Sequence, residues 1–598
     1  MDPGNSGAST EGGRREALLA LGGYLALAVL LTWPMLPHLG DRLIGHEHCT
    51  NRMHLWVLWM VKQMLLSGQA PVHTEHIFYP FGTNLVRLYG SDLLYPVVLS
   101  PLTHLLSAAV VFNLKILFSL TVAPYGVFRL LRYLGAGRAA AWGGGALFTS
   151  TPYFLLETLN GVSELVAVEW IPLAVLYLLR SQDHGRRRDV ALAVVFSLLA
   201  GYASGYNVFF LFFFGVVLVA QRLIANRARG PWRQRVRAAP LLAVAGLCLL
   251  GLLPYALLHH SGGTAKSLSV ELSDVLDPSH RPMADSSASV ATYLRPGRNQ
   301  IPLKRVGENG RMEVINTTHT TYLGYGIMAL ALLGLLRGRA SLWWATAAVF
   351  VVLSLGPHLC ISGDPLVVGG TRIPMPGLLL YKLIPGFDVT MRHAYRYVTM
   401  AHLALAVLAG LGLQQMLDRV RGARWTAALV PGAVGLCLLE VLAVGPAPYP
   451  IPMTSLKVPA IYEELAADER PFAVLELPHE DDLNYLQPYL YYQTVHGKPM
   501  IDGAVHSRVT ADELSFIRKV PLAWAFIHEE NMLLPLTKQQ VSFSLEMLRK
   551  ARFRYALLHT DLFPTPATAR KASARMKQLF GAPVKTVGAI ELYDVGLK

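Results

Sequence analysis

Eleven apolar runs separated by short arginine-rich turns constrain this chain more than any other feature. They lie near 17–36, 110–132, 139–157, 163–180, 190–204, 206–222, 238–258, 321–336, 341–356, 397–415 and 425–444. A helix needs ~20 apolar residues to cross the hydrocarbon core of a bilayer, and in lipid only helices and closed barrels satisfy their own backbone hydrogen bonds. The runs therefore predict a polytopic α-helical membrane protein with about eleven transmembrane helices. Arginines cluster at Arg129/Arg132/Arg138, Arg180/Arg186/Arg187/Arg188, Arg222 to Arg237, Arg337/Arg339 and Arg419/Arg421/Arg424, after every second run. Basic turns stay on the cytoplasmic side. With residues 1–16 as a disordered cytoplasmic N-terminus, all five clusters fall inside, and loops 37–109, 259–320 and 357–396 and the tail from Gly445 fall outside.

The composition agrees. Only 15% of the 598 residues are charged and mean hydropathy is +0.38, whereas a soluble domain carries roughly 25% charge. The net charge of +14 is then a matter of topology, and no nucleic-acid partner is expected. Cys49, Cys248, Cys360 and Cys437 are widely spaced without a CxxC, so neither a zinc site nor a disulfide framework is indicated, although a Cys49–Cys360 bridge between outside loops stays open.

Two segments of the first loop invite separate readings. His54 to Leu66 sets Leu55, Leu58, Trp59, Lys62, Leu65 and Leu66 at helical spacing, with Trp56 and Trp59 suited to the headgroup layer, which predicts a helix on the outer membrane surface. Leu93 to Leu106 is apolar but broken by Pro96 and Pro101, and predicts a re-entrant or half-buried helix, with a twelfth span as the alternative. After the transmembrane unit (17–444), a Pro-rich linker (445–457) leads to a soluble α/β domain (458–598). Its predicted helices are Ile461–Ala467 and 536–551, its buried strands 472–478 and 553–559, and its edge strand 588–595.

The outside carboxylates are the candidate bases: Asp41, Glu47 and Asp92 in the first loop, Glu271, Asp274, Asp277 and Asp285 in the second, Asp364 and Asp388 in the third. A hydroxyl attacking an activated sugar must lose its proton, and a carboxylate near the bilayer can take it; the plainer role for Asp41 is to cap the surface helix or pair with Arg42. His46 and His48, flanking Glu47, could hold a divalent cation such as Mg2+ or Mn2+, though no cofactor is certain and an ordinary polar loop serves as well. Arg392, His393 and Arg396 could grip a phosphate, or simply reach into headgroups. Arg295, Arg298, Lys304 and Arg305 form a second basic group. Glu157, Glu164 and Glu169 stand at membrane level, and such ionisable groups are functional candidates.

The layout of a first span, a long outside loop, eleven spans and a terminal outside domain resembles the GT-C superfamily of membrane glycosyltransferases, which use polyprenyl-phosphate-linked sugars. LWVLW (55–59), IFYPFGTNL (77–85), VEWIPLAVL (168–176), SASVATYLRPGRN (287–299), YLGYGIMAL (322–330), MRHAYRYVTMAHLALAVLAGLG (391–412) and VLELP with YYQTVHGKPMIDGAVHSR (474–508) resemble bacterial GT-C-like proteins more closely. The resemblance implies a multi-pass protein of the bacterial inner membrane, N-terminus inside, that transfers sugar from a polyprenyl-phosphate donor to an acceptor glycan, lipid or protein. Asp41 or Glu47 would be the base, and Arg392, Arg396 and His393 would hold the donor phosphate. His46, His48, Asn51, Arg87, Asp92 and Glu169 would be further substrate or metal contacts. Tyr491, His496, Lys498, His506 and Arg508 would face the acceptor. Two positions depart from the pattern: Thr50 and Asn51 stand where an acid usually precedes the aromatic helix, and Ser289 replaces another acid. Those departures keep a second reading alive, a non-catalytic protein that binds, transports or assists with lipid-linked glycans.

Overall fold

The computed structural model describes residues 5–47, 49–89, 94–225, 237–260, 287–296, 320–336, 340–361, 365–383, 391, 393–420, 422–478, 483–503, 509–526, 536–563 and 565–596. Every apolar run coincides with helix. Among the described residues five helices, Ala108–Tyr133, Gly205–Ile224, Ala238–Leu258, Ala394–Arg419 and Arg424–Val444, are long and apolar enough to cross a membrane by length and composition. Two runs are interrupted. The third divides into Arg138–Thr149 and Pro152–Leu159, and the fourth into Ser163–Val166 and Ile171–His184. In each case a proline occupies the first turn of the second piece, where its missing N–H costs nothing but a continuous helix could not pass. The breaks set Glu157, Glu164 and Glu169 on short, irregular backbone.

The transmembrane unit is organised around the Val398–Arg419 helix, buried without interruption from Val398 to Leu413. Its small residues explain the close approach of its neighbours. A Cβ on Gly412 would run into the carbonyl of Leu330, and one on Gly144 would meet the Gly410 Cα at 3.0 Å. In lipid, where hydrophobic burial no longer separates folded from dissociated helices, such backbone proximity supplies the packing energy.

Ion pairs gather the arginine-rich turns at one end. Glu16 bridges Arg132 and Arg138, each at 2.8 Å, and Asp183 takes Arg222 at 2.5 Å and the Tyr133 hydroxyl at 2.5 Å. At the other end, segments distant in sequence meet: Ile451 N donates to the Trp33 carbonyl (3.1 Å), and Thr50 N of the first loop to that of Asn160 (3.1 Å).

In chain order the strands are β1 (Arg42–Ile44), β2 (His73–Thr74), β3 (Thr83–Asn84), β4 (Val367–Val368), β5 (Thr371–Arg372), β6 (Met453–Ser455), β7 (Ala473–Leu477), β8 (Phe553–His559), β9 (Lys585–Val587) and β10 (Ile590–Asp594). The main sheet has the order β7-β8-β10-β9, with β7 and β8 parallel and the remaining pairs antiparallel. Ala460–Ala467 and Lys538–Lys550 are helices as the sequence predicts. The predicted edge strand is not at the edge: β10 lies between β8 and β9, a short strand whose alternation is too brief to register in sequence.

Two further expectations change. The 445–457 stretch is not a free linker, because β6 pairs with β1 of the first loop, Leu43 opposite Thr454. The Asn51–Leu66 helix exists, but protein covers most of it: Trp56 is fully buried, and its Nε1 donates to Gln493 Oε1 at 2.7 Å. It packs against the Leu483–His496 helix. Met53, Trp56, Met60, Ile77, Phe78 and Leu85 share one core with the terminal sheet, so 458–598 does not close its own core. The proline-broken segment forms only Leu94–Leu99 and a 3-10 turn, Ser100–His104, packed on the 51–66 helix with Val98 and Leu105 exposed. It is too short to span a bilayer.

Candidate functional site

At this seam the described residues enclose a cavity of 470 Å³. Gly40, Asp41 and Arg42 form one wall, Leu55 and Trp59 a second, Ser107 to Ala109 a third, and Ser455, Leu456, Lys457, Tyr491 and Thr494 the fourth. Five separate stretches of sequence converge because β6 returns to β1. Leu456 N donates to the Asp41 carbonyl (3.3 Å), and the Tyr491 hydroxyl donates to the Leu456 carbonyl (2.8 Å).

Asp41 is the cavity's carboxylate. Its side chain is 64% exposed, with His38 Nδ1 at 3.3 Å and Arg42 Nε at 3.7 Å. Glu47 is differently employed: Arg52 Nη2 donates to its Oε2 at 2.6 Å and Ser455 N to its Oε1 at 2.9 Å. Both oxygens are engaged, which makes the group a clasp on the loop. Thr454, fully buried, completes the clasp. Its hydroxyl accepts from Asn51 Nδ2 (2.8 Å) and lies within hydrogen-bond distance of the carbonyls of Gly45 (3.0 Å) and His46 (2.9 Å). The Asn51 Nδ2 thereby donates to the Ile44 carbonyl and to Thr454.

Other predicted residues are drawn elsewhere. Arg396 does not reach the cavity; it is buried with its guanidinium 4.4 Å from the Tyr206 ring and donates to the Tyr395 hydroxyl at 3.2 Å. It belongs to a deeper cluster in which His54 Nε2 lies 3.2 Å from Glu164 Oε2, and the charges of Glu164 and Arg396 attract. His393 is half-buried beside Tyr395, and Glu169 is fully buried in the transmembrane unit. Arg87 is buried against Glu513, bracing the first loop on the terminal unit. His496 is buried, its ring stacked 5.5 Å from Tyr462, and Lys498 is spent on the carbonyls of Asp468 and Arg470. Tyr491 alone among the described acceptor-side candidates lines the cavity; burial raises its pKa, with Arg52 opposing. His48, Asp92, Arg392, His506 and Arg508 lie outside the described residues.

The metal expectation rests on His46, Glu47 and His48, and His48 lies outside the described residues. Among the described residues no three His, Cys, Asp or Glu side chains gather where they could hold an ion, and Glu47 is already satisfied by Arg52 and Ser455. Cys49 is buried, free, and pushed up to about 12 by that burial, so it stays a thiol; Cys360 is likewise free and the two form no bridge.

Sequence reading missed Lys457, Thr494, Ser455 and Thr454. The Met-Thr-Ser alternation after the prolines spans only three residues, too few to mark a strand beside the proline run.

A search of curated proteins returns no match. Among solved structures the chain is similar to arabinofuranosyltransferase AftD from Mycobacteria (TM-score 0.53, 16% identity, 98% of this chain), of whose length it spans 40%. It is similar over nearly the whole of both chains to ArnT from Cupriavidus metallidurans bound to undecaprenyl phosphate (TM-score 0.51, 14% identity, 97% of each). The archaeal oligosaccharyltransferase AglB from Archaeoglobus fulgidus, in complex with an inhibitory peptide and a dolichol-phosphate, follows (TM-score 0.51, 11% identity, 91% of this chain and 69% of that one). At such identities the likeness establishes a GT-C-like membrane fold. A family profile, described as "Domain of unknown function (DUF6311)", matches residues 20–430, well over half of the 598, and the chain belongs to that family.

Proposed function

We propose that this protein is an inverting GT-C-type glycosyltransferase of a bacterial inner membrane, with eleven spans, its N-terminus inside and its terminal α/β unit outside. It moves a sugar from a polyprenyl-phosphate donor to an extracytoplasmic glycan, lipid or protein. The observation that carries this reading is the 470 Å³ cavity whose lining brings together Asp41, two cations, Arg42 and Lys457, and two aromatic side chains, Trp59 and Tyr491. Its volume suits a sugar-sized ligand. The undecaprenyl phosphate in the ArnT structure, and the dolichol-phosphate in that of AglB, support the donor class.

In the reaction the Asp41 carboxylate takes the proton of an acceptor hydroxyl as its oxygen bonds to the anomeric carbon. The bond from that carbon to the phosphate oxygen breaks, and the electron pair leaves with the polyprenyl phosphate. Arg42 and Lys457 stabilise the departing charge, a role for which fixed cations beside the reacting atoms are suited. Glu47 acts through Arg52 and Ser455 by fixing the loop. Trp59 and Tyr491 supply flat apolar faces for a sugar ring.

The test is transfer from polyprenyl-phosphate sugars by the purified chain in nanodiscs. Asp41→Asn lowers kcat by about 10²–10⁴-fold, the usual contribution of a general base. Full activity in that variant sinks the base assignment. Absence of transfer by the unaltered protein, with the carrier lipid still bound, favours the non-catalytic reading, which the engaged state of Glu47 and the absence of an acid at Thr50 and Asn51 already keep in view.

A further inference from the structure

Residues 94–106 read LYPVVLSPLTHLL, with no Lys, Arg, Asp or Glu among them, and the aliphatic side chains of this segment face outward. Leu105 is 83% and Val98 58% exposed, and Val97, Leu102 and Leu106 are exposed as well. A contiguous apolar patch on a folded protein marks a surface that something else covers.

The inner edge of the segment is fixed. Tyr95 is buried with Ala167 and Ala203, and its hydroxyl accepts from Trp170 Nε1 at 3.0 Å. Lys62 Nζ donates to the Thr103 carbonyl at 3.1 Å, which ties the turn to the 51–66 helix, and Thr103 Oγ1 donates to the Ser100 carbonyl at 2.6 Å. Polar groups are thus satisfied toward the protein, and aliphatic ones are left facing away. One turn beyond Lys62, Leu65 and Leu66 are exposed too.

Two observations name the occupant. The patch runs on into the surface of a span: the Ala108–Tyr133 helix begins two residues after Leu106, and its Leu114 and Phe118 are exposed. Phe118 lies 5.9 Å from the Trp170 ring, the same indole that holds Tyr95. The face that the span turns to lipid therefore continues onto the segment. The exposed side chains are also all Val and Leu, without the Trp, Tyr and Arg that anchor protein interfaces. Aliphatic groups beside a span suit a lipid monolayer.

The Asp41 cavity lies next to this patch. Ser107, Ala108 and Ala109, one to three residues beyond Leu106, form one of its walls, so at most ~11 Å of chain separates wall and patch.

We infer that the 94–106 segment is a leaflet anchor: Val98, Leu102, Leu105 and Leu106 enter the bilayer leaflet on the cavity's side and hold the Asp41 cavity at headgroup depth. The anchor rests on the membrane fold and not on the transfer reaction. Combined with that reaction, it requires the reacting group of the substrate to lie among lipid headgroups.

The experiment is nitroxide labelling of the cysteine-free full chain in liposomes, one label at a time, at Val98→Cys, Leu105→Cys, Lys457→Cys and Val584→Cys. Val584 is 63% exposed and apolar but belongs to the terminal unit, so it is the aqueous reference. Collision rates with oxygen and with a water-soluble nickel chelate report depth, and an unchanged thermal melt of each labelled protein verifies the fold. Labels at 98 and 105 collide preferentially with oxygen, ~5–10 Å below the phosphates; the label at 457 lies at the phosphates or above them, and that at 584 collides preferentially with nickel. Nickel-dominated collisions at 98 and 105, as at 584, overturn the inference. So does a spectrum at 105 that sharpens when labelled protein is diluted with unlabelled protein, because a second copy would then cover the patch. No substrate is present, so failure here leaves the transfer assay to decide the enzymatic reading, and absence of transfer leaves the anchor standing.

Discussion

A threonine in a proline-flanked stretch does more to shape the candidate site than any of the acids the sequence advertises. The Thr454 hydroxyl, fully buried, meets Asn51 and the carbonyls of Gly45 and His46. Thr454→Val keeps the shape and leaves those groups without their partner, a loss worth about 1–3 kcal/mol; detergent-solubilised protein should show it as a lower midpoint of thermal unfolding, while Ser at 454 should be close to neutral. His496 gives a pH prediction. Burial, and then the nearby Lys498 charge, lower its pKa from 6.5 to about 3. A histidine held neutral in the fold binds its proton more readily when unfolded, so its contribution is present above pH 6.5 and is lost as pH falls from there toward 3. His496→Phe keeps a ring against Tyr462 and should flatten the fall in stability between pH 6.5 and 4, measured against the unaltered protein. A slope identical in both proteins would refute the assignment.

Among the elements, the 51–66 helix shows where sequence reading succeeded and where it failed. Its helical spacing was legible; its environment was not. Leucines and tryptophans at helical intervals look the same whether lipid or a protein surface covers them. What decides between them is Gln493, more than four hundred residues away, which takes the Trp56 N–H. Trp56→Ala should cost about 3–5 kcal/mol, as for other large aromatic side chains removed from a core, and should open the 445–457 segment to protease in the folded membrane protein. No increase in cleavage would mean that the helix does not hold the terminal unit. Strands β7 and β8 were readable because parallel, doubly covered strands are nearly continuous apolar runs. β6 and β9, three residues each, carry too little alternation to stand out.

For the whole molecule, the periodicity of apolar runs and arginines disclosed the membrane architecture, and every run is helical. The candidate site was only half legible: Asp41 and Tyr491 were found, whereas Lys457 and Thr494 enter the cavity through a return of chain that no local pattern encodes. The environment of Arg396 was not legible, because a cation next to a span looks the same whether it meets lipid phosphate or, as here, tyrosine rings. The first loop and the terminal unit share one core, so they belong to one compartment; the proposed topology sets that compartment opposite the turns joined by Glu16, Arg132 and Arg138.

The most direct measurement is the sidedness of that cavity. In a cysteine-free background, Asp41→Cys and Lys457→Cys are each exposed to a membrane-impermeant maleimide on intact cells, with Arg138→Cys as the opposite-side control. Labelling of residues 41 and 457 without permeabilisation, and of residue 138 only after it, is the result expected. Should position 41 or 457 react only in broken cells, no outward-facing site would join the first loop to the terminal unit.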